Sequence, residues 1–319
     1  MSLFSQILRG VPCNANPMKS EAPSQTRQAA LLMVAAMAVI GVIDNYIVRL
    51  AEEIGLWQFH FTRGLMTVPL VALLSLMGFG TMRALRPWRV VLRSLLAAAA
   101  MLCYFGALGL LPIAQVLAGL YTSPIFIVII TGLFLKVRIG PWRVIAVAVG
   151  FAGTLFVLQP DPDNFDLAIL LPVAGGLFYA LGAIATRSLC AGESTVALLF
   201  AMMLTLGLMG ALGLGVLALV PVESVPGPDG FLTRGWLWPM PAAAPWVAVQ
   251  AVGSVVAVFF LIKAYQLGEP SLVGVFEYSV MVIGPLYALV ALGVGIGPWQ
   301  VLGIGLIALA GGIIAVRSR

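Results

Sequence analysis

Charged residues are scarce in this sequence. Only 9% of its 319 residues are Asp, Glu, Lys or Arg, whereas soluble domains carry about 25%. Apolar residues make up 61% of the chain, and the mean hydropathy is +1.09. The apolar runs are about 20 residues long, which suffices to cross a hydrocarbon core of about 30 Å. The sequence therefore predicts an all-α integral membrane protein that contacts the lipid bilayer.

Histidine and cysteine are also rare. One histidine and widely separated acids do not supply the ordered nucleophile and base, or the clustered ligands, that hydrolysis or metal chemistry needs. The three cysteines (Cys13, Cys103 and Cys190) have no spacing typical of a metal site or a disulfide framework. We therefore expect no enzyme activity, no cofactor and no metal. A membrane-embedded enzyme or a channel remains the alternative from a different functional class.

The net charge of +5 comes without a basic stripe interleaved with aromatic residues, so we expect no nucleic-acid partner. In a membrane protein, the distribution of lysine and arginine between loops primarily indicates which side of the membrane each loop faces. With the N-terminus inside, fourteen basic residues fall on the inner side and two on the outer side. This bias predicts that both termini are cytoplasmic. The acidic loop at 160–166 is then an external, solvated loop.

Hydropathy and breaker residues predict ten transmembrane helices. The predicted spans are 28–50, 57–78, 88–110, 112–135, 141–159, 166–188, 195–220, 245–266, 270–293 and 297–316. Residues 1–27 are predicted to form a cytoplasmic tail, and 317–319 a cytoplasmic C-terminus.

The chain repeats itself after five helices. Pro87 corresponds to Pro245 with an offset of 158, and Pro141 corresponds to Pro298 with an offset of 157, each at a Pro-Trp helix start. The second offset also places Tyr121 on the tyrosine at 278. Because five is odd, the two halves must face opposite ways across the bilayer, as in many secondary transporters. We therefore predict inverted repeats at 28–160 and 161–316.

The sequence around this repeat resembles a known family. The first half carries "DNYIVRLAEE" at the end of its first helix, "FTRG" in its second, and "CYFGALGLLPIAQVLAGLYTSPIFIVIITGLFLKVRIGPWRVIAVAVGFAGTLFV" in its last three. The second half carries "FFLIKAYQLGEPSLVGVFEYSVMVIGPLYALVALGVGIGPWQVLGIGLIALAGGIIAV". Residues 28–316 thus resemble the EamA-type ten-helix permeases of the drug/metabolite transporter superfamily. The resemblance implies ATP-independent transport of a small organic metabolite through a cavity between the halves, and many relatives are exporters.

We therefore hypothesise a secondary active transporter that works by alternating access. The resemblance implies that it lies in a bacterial inner membrane. Its substrate is expected to be an amino acid, an amine or a related solute, with export favoured. Uptake of riboflavin or a similar flat aromatic is the alternative, because several tyrosines could stack on a flat ring. A proton as coupling ion and a homo-oligomeric state stay open.

Charges at membrane depth need a partner or a water-filled cavity. Asp44 and Arg63 should reach the same depth in the first hairpin, either as a structural ion pair or as a gate or carboxylate-binding site. His60 lies one turn from Arg63 and is either a packing residue or a proton relay. Asn45 is a further candidate, although its spacing from Arg49 also allows a bond between those two side chains.

Several tyrosines also fall near predicted helix centres or breaks. Tyr104 and Tyr121 flank the turn between the third and fourth helices almost symmetrically. Pro124 should break the fourth helix and expose backbone groups that Ser123 can engage. Tyr179 lies close to the middle of the sixth helix. Aromatic packing at a kink and ligand binding both remain open for these residues.

Glu277 is the single acid in the apolar run from 272 to 292, and it should point away from lipid. Lys263 lies about 6 Å away in depth, from about four residues at 1.5 Å each, so the two could pair. Alternatively, the lysine reaches the cytoplasm and leaves Glu277 to bind a proton or a cationic amine. The adjacent Tyr278 matches Tyr121 of the first half and is the last candidate.

Overall fold

A computed structural model of the protein describes residues 23–160, 166–220, 222–227 and 230–317. Within these ranges, ten helices are long and apolar enough to cross a membrane. They are α1 Gln25–Glu53, α2 Leu56–Leu76, α3 Pro87–Ala107, α4 Ile113–Phe134, α5 Pro141–Leu158, α6 Leu167–Ser188, α7 Thr195–Leu219, α8 Ala244–Leu267, α9 Pro270–Leu292 and α10 Pro298–Arg317. These helices agree closely with the predicted spans and confirm the all-α membrane fold.

Proline marks many of the helix starts. α3, α5, α9 and α10 each begin at a proline, and α8 has one at its second position. The first turn of a helix tolerates proline because its missing N–H has no intrahelical acceptor there. At the other end, α9 stops at Gly293, whose φ of 70° is easily adopted only by glycine.

The helices alternate in direction, so the bundle has two distinct ends. We call the end where α1 begins and α10 finishes the terminal face; it carries the loops at 77–86, 135–140, 189–194 and 268–269. We call the opposite end the distal face; it carries the loops at 54–55, 108–112 and 293–297 and the described parts of 220–243.

The helix contacts follow the same pattern in both halves. For the most extensive contacts, replacing each helix of a contacting pair by the helix five positions away along the chain gives the same or another contacting pair. α2 packs on α7 and α5 packs on α10, and these pairs map onto themselves. The pair α3 and α6 maps onto α8 and α1, while α4 and α6 map onto α9 and α1. The packing is therefore that of two related five-helix units that interlock around a common centre.

Glycines bring the self-paired helices together. A Cβ on Gly64 of α2 would lie 2.7 Å from the Cα of Gly207 on α7. A Cβ on Gly153 of α5 would lie 2.8 Å from the carbonyl oxygen of Gly303 on α10. Small residues allow such backbone approach in lipid, where helix association depends on van der Waals packing. These four glycines therefore fix both symmetric helix contacts.

Three helices are irregular along their length. α4 is interrupted by a turn at 121–122, just before Pro124, as predicted. α9 winds as a 3₁₀-helix over Gly274–Ser279, and α1 does so over Asp44–Tyr46. Broken helices inside a membrane bundle are tolerated where they are buried in protein or line a cavity.

Some predicted features lie outside the described residues. These are the tail at 1–22, which includes Cys13, the centre of the acidic loop at 161–165, and residues 318–319. Of that loop, Asp166 accepts a hydrogen bond from the backbone N–H of Ala168 at 2.8 Å and so caps the start of α6.

Candidate functional site

A central cavity lies where the two five-helix units meet. It contains about 1080 Å³ of space between atoms, part of it continuous with solvent, and eight helices line it, whereas α5 and α10 do not. Its wall is mostly apolar, with methionine and aromatic side chains and a few polar groups. The polar and aromatic lining consists of Asp44, Arg63, Arg93, Tyr104, Phe105, Tyr121, Ser123, Tyr179, Thr186, Gln250, Ser254, Tyr265 and Glu277. Such a wall is typical of small-molecule sites.

Glu277 lies in this wall and is held by hydroxyl groups. Tyr179 donates to its Oε1 at 2.8 Å, Tyr265 donates to the same oxygen, and Ser123 donates to Oε2 at 3.3 Å. The glutamate is 1% exposed. The 3₁₀ winding of α9 and the break in α4 bring the acid and Ser123 together from equivalent places in the two halves. Among the residues described, the buried carboxyl group is therefore stabilised by hydrogen bonds from hydroxyl groups and has no cationic partner.

The pairing of Lys263 with Glu277 is not formed. Lys263 lines a second cavity at the terminal face, whereas Tyr265, two residues later on α8, bonds Glu277. Two residues correspond to about 200° around a helix, so these side chains leave α8 in nearly opposite directions. Among the residues described, the single ion pair joins Arg143 and Glu269 at 2.6 Å, near the terminal face.

Asp44 and Arg63 both line the distal part of the cavity, but they do not form an ion pair within 4.0 Å. Arg63 donates to Nδ1 of His60 at 3.1 Å and to the hydroxyl of Ser254 at 3.5 Å. Its guanidinium also lies 4.6 Å from the ring centroid of Phe59. The cation is thus held by neutral groups and rings, while Asp44 influences it from a greater distance.

His60 does not line the cavity. It is fully buried, and its ring packs against Phe59 and Phe105 at centroid distances of 5.1 and 5.2 Å. Asn45 is also turned away, because its amide donates to the carbonyl of Gly41 at 2.6 Å in its own helix. The bond between Asn45 and Arg49 that the spacing allows is not formed.

The predicted tyrosines divide into two groups. Tyr104, Tyr121 and Tyr179 line the cavity, and Tyr104 lies beside Asp44. Tyr278 does not line it, although it corresponds to Tyr121 in the repeat. Its fully buried ring packs on α5, where a Cβ at Gly150 would lie 2.4 Å from the ring.

Arg93, Tyr265 and Gln250 are cavity residues that sequence reasoning missed. Arg93 is one of the fourteen basic residues that indicate topology, yet it lies six residues inside α3. That depth was the signal that could have singled it out. Tyr265 and Gln250 carried no signal beyond being polar in an apolar run. Gln250 donates to the carbonyl of Ile43 at 2.9 Å, just before the 3₁₀ turn in α1.

Two titratable groups with shifted pKa values lie outside the membrane-spanning helices. Burial raises the pKa of the Cys190 thiol to about 11, and its Sγ–H donates to the carbonyl of Arg89 at 3.7 Å. Burial lowers the pKa of Arg234 on the distal face, and Glu53 opposes that shift. Cys190 is therefore a protonated packing residue. Among the residues described, no cluster of histidine, cysteine and acidic side chains could hold a metal.

Comparison with known proteins supports a transport function. Residues 27–159, which span α1 to α5, match the EamA-like transporter family. A riboflavin transporter of Rhizobium johnstonii is 35% identical over 174 residues, but the match covers only 52% of this chain and 56% of that protein. A riboflavin transporter of Vibrio cholerae is 28% identical, and this match covers 79% of this chain and 80% of that protein.

Two further similarities cover most of the chain. An S-adenosylmethionine uptake transporter of Rickettsia conorii is 24% identical and covers 81% of each protein. A crystal structure of another protein matches with a TM-score of 0.72 and 18% identity over 92% of this chain and 96% of that one, which shows a common fold. With its ten helices and interlocked halves, this chain is similar to the EamA-type permeases of the drug/metabolite transporter superfamily.

Proposed function

We propose that the protein imports a flat heteroaromatic metabolite with a polar tail, riboflavin first, by alternating access through the central cavity. The observation that carries this proposal is the cavity wall. Tyr104, Tyr121 and Phe105 offer aromatic faces, which can stack on a planar ring system. Gln250 and Ser254 offer hydrogen bonds to a polyol tail. The similarity to relatives named as riboflavin transporters supports the same substrate.

The proposed direction differs from the export that the sequence resemblance favoured. One group of relatives is named for uptake, and this similarity supports import. We further propose that a proton is the coupling ion and that Glu277 carries it, because this acid lies in the cavity wall with hydroxyl partners and with no cationic partner among the described residues. The proposed orientation has the terminal face in the cytoplasm.

A second candidate substrate is S-adenosylmethionine, which combines a fused heteroaromatic ring with positive and negative charges. The favouring observation is that Glu277 and Arg93 both line the cavity while neither forms an ion pair with another described residue. A substrate with groups of both signs could contact both side chains. Riboflavin, which is uncharged at neutral pH, would leave both charges without an ionic partner.

Transport by purified protein in liposomes tests the proposal. With an acid-outside gradient, accumulation of riboflavin, detected by its fluorescence, should exceed that in empty liposomes, and S-adenosylmethionine should be measured in parallel. Ala183→Trp should abolish accumulation, because it fills the cavity wall. The control Val290→Trp lies on α9 at a position 85% exposed and should transport normally. If neither compound enters faster than in empty liposomes, the proposed substrates are wrong.

A further inference from the structure

The guanidinium of Arg93 is buried in the cavity wall, and no described residue gives it a carboxylate partner. The residue is 3% exposed, and its Nε donates to the hydroxyl of Thr186 at 3.0 Å. One Nη1 hydrogen is directed at the sulfur of Met202 at 3.7 Å. A guanidinium has five N–H donors, so three of them have no acceptor among the described residues. This is a preformed cation with unused donors that faces an open space.

Within the part of the chain that the structure describes, no acid forms an ion pair with Arg93. The titratable groups that influence it are Tyr179 and Cys190, both uncharged near neutral pH. Glu193, on the terminal face, is engaged elsewhere because its carboxylate accepts the backbone N–H groups of Leu85 and Arg86 at 2.8 and 2.7 Å. An unpaired buried cation is strongly unfavourable in a membrane protein unless it serves a ligand or water.

Arg93 also lies beside the route to the terminal face. Thr186, its hydrogen-bond partner, lines both the central cavity and the second cavity, which contains about 1350 Å³ of space between atoms. Arg83, Arg187 and Lys263 line that second cavity. Basic walls raise the local concentration of anions. Glu193 is the one acid among the described residues that line the second cavity, so the wall is net positive, and an anionic group would meet a net positive surface between Arg93 and the terminal face.

We propose that Arg93 is an anion-binding subsite, which holds a carboxylate or phosphate group of a transported molecule while the rest of that molecule lies in the central cavity. The subsite rests on the transport function proposed above. The planar guanidinium of Arg93 carries N–H donors whose geometry matches two oxygens of a carboxylate or phosphate. Thr186 positions the guanidinium by accepting from Nε, which leaves the outer edge of the guanidinium for the ligand.

Matched ligand pairs test the subsite on the purified full-length protein. Riboflavin 5′-phosphate differs from riboflavin by its phosphate, and S-adenosylmethionine differs from its decarboxylated form by its carboxylate. We expect the wild type to bind the anionic member of at least one pair about tenfold more tightly or better. R93Q should remove that preference, and R93K should retain part of it because the charge remains. An unchanged affinity ratio in R93Q would overturn the proposal.

A second measurement tests anion binding at Arg93 without using either proposed substrate. Benzoate and benzamide have the same ring and differ in charge, so we expect benzoate to raise the thermal unfolding temperature of the wild type more than benzamide does. R93Q should lose this difference. R89Q, one turn earlier on α3, should keep it, because Arg89 bonds the carbonyl of Leu189 and does not line the cavity.

The two failures have different signatures. If neither ligand pair binds while benzoate still stabilises the wild type selectively, the proposed substrates are wrong and the subsite stands. If benzoate and benzamide stabilise the wild type equally, or R93Q retains the benzoate effect, Arg93 is a structural residue and the subsite is wrong.

Discussion

Glu277 and Arg93 carry opposite charges in one cavity wall, and each is held by neutral partners. Their roles should therefore be separable by substitution. The acid is bonded by two tyrosines and a serine, all of which can stay bonded whether it is ionised or protonated, because a hydroxyl both donates and accepts. This shell lets the carboxyl exchange a proton without rearranging its neighbours.

Replacing Glu277 with glutamine should uncouple transport from the proton gradient. Glutamine keeps the shape and one acceptor oxygen but cannot take up a proton near neutral pH. We expect E277Q to equilibrate riboflavin across liposomes without concentrating it, in contrast to several-fold accumulation by the wild type. Fluorescence of the trapped substrate with and without an imposed pH difference measures this. Proton-driven accumulation by E277Q equal to that of the wild type would contradict the role.

Tyr179→Phe provides the matched control for that substitution. It removes one hydroxyl donor to Oε1 while the carboxylate and the bond from Tyr265 remain. We expect this variant to stay coupled to the gradient, with a lower rate. Loss of coupling in both variants would instead assign the effect to a distorted cavity.

At the scale of elements, the ten helices were predictable because each is an apolar run of membrane length. The break in α4 was predictable from Pro124, since proline removes a backbone donor. The 3₁₀ segment of α9 has no proline inside it and could not be predicted. Its tighter winding rotates each residue about 20° further than in an α-helix. Within this segment Glu277 lines the cavity and Tyr278 packs on α5.

The role of Arg93 could not be predicted for a similar reason, since it depends on the packing of several helices. Its neighbours Arg86 and Arg89 lie at the start of α3, so a count of basic residues places all three at the membrane surface. The depth of Arg93 was visible in the sequence, but the absence of an acidic partner depends on how α3, α6 and α7 pack. Lys263 is a second case, because its depth alone is compatible with pairing to Glu277. The direction of its side chain around α8 shows that it turns away from Glu277.

On the distal face, Arg234 holds the connection between α7 and α8 against the end of α1. We call this contact the distal closure. Arg234 is 6% exposed and donates to the carbonyls of Ala51, Glu52 and Ile54 at the end of α1, at 3.0, 3.1 and 3.3 Å. It also bonds the carbonyl of Gly227 at 2.5 Å within the same connection. Gln58 adds a reciprocal pair of bonds to the backbone of Leu237.

Removing this arginine should loosen the distal closure. Because several charge-assisted bonds are lost and their carbonyls are left partly buried, we expect R234A to lower the free energy of unfolding by about 2–4 kcal/mol. Chemical unfolding in detergent micelles measures the change. R49A is the control, since Arg49 is exposed on the same face and its guanidinium lies 5.7 Å from the centroid of the Trp246 ring, a contact worth about 0.5–1 kcal/mol. Equal losses in both variants would show that Arg234 does not hold the closure.

At the scale of the whole molecule, the interlocked halves place the cavity at their common centre and the basic residues at one end. Arg83, Arg138 and Arg317 all lie at the terminal face, whereas Arg49 and Arg234 lie at the distal face. Since cytoplasmic loops are enriched in lysine and arginine, this asymmetry supports a cytoplasmic terminal face. Direct chemical labelling can decide the orientation.

Two glycines make suitable labelling sites because a side chain at either meets open space. Gly140 lies in the terminal-face loop between α4 and α5, and Gly295 lies in the distal-face loop between α9 and α10. Cys190 can stay in place, because it is fully buried and its pKa is raised to about 11, so it should not react near pH 7.5. Cys13 and Cys103 would be replaced by serine.

In intact cells, a membrane-impermeant maleimide should label Gly295→Cys and leave Gly140→Cys unmodified. In inside-out vesicles the pattern should reverse, because the terminal face is then exposed to the reagent. Labelling of Gly140→Cys in intact cells would place the termini outside. The second cavity, with its basic lining, would then open to the exterior, and Arg93 would meet an anionic group arriving from outside rather than release one into the cytoplasm.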